Sequence, residues 1–146
     1  DSAAAASCLE LAAETAPDAL WVLPSVSHAL NVNAYRAVER RDWPQAARSY
    51  RAGALLEPGK AEWLINLGVV LEHEGQARQA EAALREAVRR EPRLPRAWEA
   101  LGARLWAEQR WAEAADAFDS AAALDPAGAG SAAFAAQARA RAAAKR

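Results

Sequence analysis

The feature that most constrains this chain is an internal repeat. Leu67-Gly68 and Leu101-Gly102 stand 34 residues apart, and the same shift carries Ala80 to Ala114, Leu84 to Phe118, Ala87 to Ala121 and Pro92 to Pro126. Taken in the other direction it lands on Ala46, Tyr50, Gly53 and Pro58. A period of roughly 20–50 residues marks a supersecondary unit that cannot bury its apolar face alone and must stack on its neighbours. Three units follow, 27–60, 61–94 and 95–128, flanked by residues 1–26 and 129–146.

Within each unit the apolar residues fall at helical spacing, as in Leu64, Leu67 and Leu71 or Ala80, Leu84, Ala87 and Val88. Two helices per unit are expected. The breaks between them fall at Arg41-Asp42-Trp43-Pro44, at Gly75-Gln76-Ala77 and at Gln109-Arg110-Trp111, with Pro44 suited to a first helical turn. Pro58, Pro92 and Pro126 end the second helices, because proline lacks the donor that a helix interior needs and restrains its predecessor. Small residues at Gly68, Ala80, Gly102 and Ala114 let helices approach closely. Composition agrees: of the 53% hydrophobic residues the largest share is alanine, which buries little area but is the best helix former.

These residues resemble the tetratricopeptide-repeat (TPR) family, whose signature runs from a large residue through Leu-Gly, a large residue, an Ala, an aromatic and an Ala to a closing Pro. The second and third units fill nearly every position. The first departs, with Asn33-Ala34 in place of Leu-Gly, Ala37 at the next large position and Gly53 where Ala is usual. The resemblance implies an all-α fold, a TPR superhelix: an α-solenoid of three helix-turn-helix repeats plus a C-terminal capping helix. That cap is residues 129–146, where Phe134 is the single large apolar residue and Arg139, Arg141, Lys145 and Arg146 suit the negative end of a helix dipole. Residues 1–26 are expected to be helical in part and are candidates for a degenerate upstream repeat.

Several function classes lose support. A formal charge of −1, without runs of like charge, gives no attraction to phosphate backbones or anionic lipid, so nucleic acid is not an expected partner. No apolar stretch approaches the roughly 20 residues of a membrane span, so direct membrane insertion is not expected. Cys8 is the single cysteine, which rules out an internal disulfide. His28 and His73 lie in different units, neither with a second histidine or cysteine at metal-ligand spacing, and no metal or cofactor is expected. Glu72 and Glu74 flank His73 but point to different sides of a helix. Phosphate loops and nucleophile elbows are absent from the sequence, so catalytic residues are not assigned and an enzyme is not expected.

The resemblance implies instead a protein-protein interaction module that binds a peptide or protein partner in the concave groove of the array. Register places Val32, Tyr35, Ile65, Val69 and Trp106 on that face, with Asn66 and Arg96 as polar contacts. Trp43 and Trp111, at equivalent places in two units, read as packing residues between helices, as do Trp63 and Trp98. Some TPR domains grip the free carboxyl terminus of chaperones with five polar residues. Asn31, Tyr35, Asn66, Arg96 and Ala100 occupy those places here, and only Asn66 and Arg96 keep the chemistry, so chaperone-tail binding is not expected. The alternative is a structural or oligomerisation component of a bacterial cell-envelope assembly of the secretion or pilus type, in which self-association stays open. The alanine and arginine richness suits a high-GC bacterium, with the compartment, bacterial cytoplasm or periplasm, left open, and the missing initial methionine suits a processed or excised segment.

Overall fold

The structure is a computed structural model that describes residues 11, 24–126, 128 and 130–144. The expectations for Cys8, for most of residues 1–26 and for Lys145 and Arg146 lie outside those residues. Among the described residues there are seven helices and no strand: α1 (Pro24–Glu39), α2 (Trp43–Leu56), α3 (Glu62–His73), α4 (Ala77–Arg90), α5 (Pro95–Ala107), α6 (Trp111–Leu124) and α7 (Ser131–Ala144). The chain divides into two compact units, one ending at Ala80 and one beginning at Glu81. In the first, α2 packs against both α1 and α3. In the second, α6 packs against both α5 and α7.

Two kinds of turn, each recurring at the sequence period, define the helix ends. The first follows α1, α3 and α5 and places Arg41 (φ 58°), Gly75 (φ 72°) and Gln109 (φ 60°) in the left-handed region. The N–H groups of Arg41, Gly75 and Gln109 donate three residues back, to the carbonyls of Val38, Glu72 and Trp106. Those of Asp42, Gln76 and Arg110 donate five back, to Ala37, Leu71 and Leu105, at 2.9, 2.8 and 3.0 Å. This pair of bonds is the Schellman cap, which satisfies the last helical carbonyls and reverses the chain. After the first of these turns Asp42 caps α2, its carboxylate accepting from the Gln45 N–H at 3.1 Å, and Pro44 lies in the first turn of that helix.

The second kind of turn follows α2, α4 and α6. Lys60, Leu94 and Gly128 donate their N–H groups to the carbonyls of Glu57, Glu91 and Asp125. In each case proline is the residue after the acceptor, where its fixed φ suits the second position of a β-turn.

Small residues set the helix spacing. In the first unit Ala46, Ala52 and Leu30 are fully buried, and the indole of Trp63 lies so close to Gly53 that a Cβ there would fall 2.4 Å from the ring. Here the departure from alanine at position 53 has its reason. Trp63 also meets Tyr50 at 6.2 Å between ring centroids and donates its indole N–H to Glu57 at 2.8 Å. In α3 Trp63, Leu64, Ile65, Leu67, Val70 and Leu71 are all buried, a pattern that runs round the helix and marks it as covered on more than one side. In the second unit Gly102 plays the part of Gly53, with Phe118 2.9 Å from the position of an added Cβ. The stripe Ser131, Ala135 and Ala138 is the buried face of α7.

An ion-pair network ties the second unit together. The Arg110 guanidinium reaches Glu113 at 2.6 Å, Glu81 at 2.8 Å and Glu108 at 3.1 Å, and Arg85 reaches Glu81 at 2.8 Å. Hydrogen bonds from Arg110 hold the Glu113 carboxyl below its ordinary value. Burial works against the charge of Glu81, but the bonds from Arg85 and Arg110 outweigh it and lower that carboxyl as well.

Two outcomes are expected. Gly75→Ala should destabilise by about 1 kcal/mol and Gln109→Gly should stabilise by up to about 1 kcal/mol, because only glycine occupies the left-handed region without steric cost; urea unfolding measures both. Carboxylates whose pKa is lowered by folding contribute stability above their unfolded value of 4.5 and lose it as the pH falls through the folded value. The melting temperature should therefore drop between about pH 7 and about pH 3.5, and drop less in Arg110→Gln.

Candidate functional site

Five of the seven residues expected to meet a partner belong to the first unit. On α1, Tyr35 is 55% exposed and Val32 is half-buried; on α3, Val69 is 47% exposed and Asn66 is half-buried. Tyr35 and Val69 occupy equivalent positions one period apart, so each first helix of this unit turns a large apolar side chain to solvent at the same level. Tyr35 stands near Tyr50, whose phenol is pushed up by burial and then by the charge of Tyr35. Ile65 corrects the expectation. It is 2% exposed and belongs to the core of α3, one turn from the open Val69, and cannot touch a partner.

His73 also has a role that its spacing did not reveal. Its ring stacks on Trp43 with centroids 4.4 Å apart and an interplanar angle of 9°, joining the end of α3 to the start of α2. Trp43 is thus a packing residue, as its place at the turn implied.

The other two expected residues belong to the second unit. Arg96 is exposed at the start of α5. Trp106 is half-buried and sits at the centre of an aromatic cluster. It meets Trp111 edge-on at 5.0 Å, Phe118 at 6.4 Å and Phe134 at 6.1 Å, while Phe118 and Phe134 stack at 5.4 Å. Such pairs stabilise beyond the area they bury. The Arg141 guanidinium lies 4.7 Å from the Trp106 ring and 5.0 Å from that of Trp111, a cation–π contact with two indoles. Arg139, on the same helix, pairs with Asp119 of α6. Trp98 donates its indole N–H to the Pro92 carbonyl at 2.9 Å, fixing the approach to α5.

Beside this cluster lies a cleft of ≈ 370 Å³ lined by Glu99, Ala103, Trp106, Phe118, Gly130, Ser131 and Phe134. The Ser131 hydroxyl donates to the Glu99 carboxylate at 2.6 Å. Sequence reasoning missed Glu99, Ser131, Phe134 and Arg141 as parts of one site. The usable signal was the spacing of Phe134 and Arg141, seven apart and hence on one helix face. Among the described residues no group of His, Cys, Asp and Glu side chains could hold a metal ion, and no helix is long and apolar enough to cross a membrane.

Solved structures share this fold. The first TPR domain of human RPAP3 superposes with a TM-score of 0.73 at 18% identity, over 84% of this chain and 96% of that one. The TPR2B domain of yeast Sti1, solved as a pHsp70 complex, gives 0.69 at 21% identity over 82% and 98%. The Yersinia enterocolitica type III secretion chaperone SycD, solved with a peptide of the translocator YopD, gives 0.72 at 17% identity over 86% and 98%. The fold is that of the tetratricopeptide repeat. No protein-family model and no curated protein matches the sequence. The TPR fold explains the recurrence of both turns and the small residues at helix crossings, and it leaves the identity of any ligand to the side chains that each surface presents.

Arg141→Ala should cost about 1 kcal/mol, a fall in melting temperature of roughly 2–4 °C, and should change the near-ultraviolet circular dichroism of the indoles. Hydrogen exchange of α7 should quicken more than that of α5, and Arg141→Lys should recover part of the loss.

Proposed function

We propose that this chain is a protein-protein interaction module, and not an enzyme, organised as three TPR units over 27–60, 61–94 and 95–128 with 129–146 as a cap. The observation that carries the reading is the pair Tyr35 and Val69. These are large apolar side chains, half open to solvent, at the same register on two first helices. A single exposed apolar residue means little, but recurrence at the repeat period gives a partner evenly spaced anchors. Val32 and Asn66 flank them, and the Asn66 amide suits the backbone of an extended or helical peptide. Proteins of the same fold support the reading: SycD is solved with a translocator peptide, and the first TPR of Spaghetti with the HSP90 peptide SRMEEVD.

The partner proposed here differs from an acidic chaperone tail. Tyr35 and Ala100 stand where charged or amide groups would have to hold a terminal carboxylate, and a carboxylate deprived of most charge-assisted bonds binds weakly. The test is a pull-down from the source organism, comparing the parent chain with a Tyr35→Ala, Val69→Ala variant and with Leu55→Ala, which removes an exposed apolar side chain from α2 instead. All three should melt alike, because exposed truncations change stability by about 0.5 kcal/mol or less. A partner held by the parent and by Leu55→Ala and lost by the double variant is the expected result. Equal retention by all three would move the function to another surface and favour the envelope-assembly alternative.

A further inference from the structure

The cleft beside Trp106 has a chemistry that the Tyr35 and Val69 surface lacks. Its walls are the rings of Trp106, Phe118 and Phe134, with Phe134 47% exposed although its ring touches the other two. Ala103, the residue one period after Val69 and two after Tyr35, contributes only a methyl group, so the cleft opens where the equivalent positions carry bulk. Its volume of ≈ 370 Å³ falls in the range of ligand sites, about 300–1,000 Å³, and exceeds what one aliphatic side chain fills.

Charge then selects the occupant. Glu99 lies one turn before Ala103 on α5, and among the described lining residues it alone is charged. Its Oε1 accepts from the Ser131 hydroxyl at 2.6 Å, which orients the carboxylate, and among the described residues no cation pairs with it. Aromatic faces also attract cations, and this cluster already holds one, the Arg141 guanidinium over Trp106. At the Glu99 end of the cleft, beside Ser131 and ten residues along α7 from Arg141, an acidic side chain would meet repulsion and a basic one attraction.

We propose that this cleft is a side-chain pocket for a partner segment in which a bulky apolar residue is followed by lysine or arginine, the apolar group seated on Trp106 and Phe134 and the cation on Glu99. The proposal deepens the interaction-module reading and rests on it. It assigns that module a preference for basic, amphipathic sequence.

The experiment is an NMR titration of the whole chain with three peptides of about ten residues, identical except for a central Leu-Lys, Leu-Glu or Ser-Lys pair, observed at the Trp106 indole N–H. Leu-Lys is expected to bind about tenfold or more tightly than either of the others. Glu99→Gln, which can still accept from Ser131, should bring Leu-Lys within about threefold of Leu-Glu at unchanged melting temperature. Ala103→Leu, which fills the cleft from an exposed position, should abolish the Trp106 response. The proposal is overturned if the preference for lysine survives in Glu99→Gln, if Ala103→Leu binds as the parent does, or if no peptide perturbs Trp106. These outcomes are separable from failure of the broader reading, which the Tyr35 and Val69 variants decide with other residues.

Discussion

The structure depends on how its helices are made to stop. A chain this rich in alanine has no intrinsic reason to leave the helix, and a long uninterrupted helix would have nothing to bury against. The interruption is made by backbone geometry: one residue enters the left-handed region, and the next donates its N–H five residues back, so the last carbonyls are satisfied while the chain turns round. Arg41, Gly75 and Gln109 all do this, although glycine alone does it without a steric cost. Two side chains therefore sit in a conformation that their type disfavours, held there by the hairpins they create. The acid-proline turns after α2, α4 and α6 complete the scheme, since the proline, two residues past the helix end, forbids its continuation.

Within that frame, close approach and bulk are divided between different residues. Gly53 and Gly102 leave room, and the large rings of Trp63 and Phe118 occupy it. The second unit goes further and concentrates its large side chains in one cluster, where Trp106, Trp111, Phe118 and Phe134 meet under a guanidinium. Around it α7 supplies little else to hold itself in place. Its buried positions are Ser131, Ala135 and Ala138, so the Phe134 ring, Arg141 over two indoles, the Ser131–Glu99 hydrogen bond and the Arg139–Asp119 pair carry much of its attachment.

The helices, the positions of the turns and the terminal helix were legible in the sequence, because glycine, proline and recurrent large residues punctuate it at a fixed interval. The surfaces were only partly legible. Ile65 and Val69 lie four residues apart and so share an azimuth on α3, but four residues also advance about 6 Å along the axis, and what covers each level is decided by side chains on other helices. Periodicity alone could not tell the buried one from the open one. Trp106 posed a related difficulty. Its neighbours Phe134 and Arg141 come from a tail that departs from the repeat, so register offered no equivalent position from which to infer contact. The turn residues show the reverse case: Arg41 and Gln109 do not look like left-handed residues, and only their alignment with Gly75 suggests it.

The alanine seams have a consequence of their own. Ala46, Ala87, Ala114, Ala135 and Ala138 are almost wholly inaccessible, yet each contributes a single methyl group. Truncation scanning passes over such positions in silence, since the residue is already the one to which others are cut back. Their information is a ceiling on size: any larger side chain would wedge the helices apart, at about 1–3 kcal/mol each time. A lineage descending from this chain could rewrite its solvent-facing residues almost freely while these seams stayed fixed, so relatedness would persist longest in the places where the side chains say least.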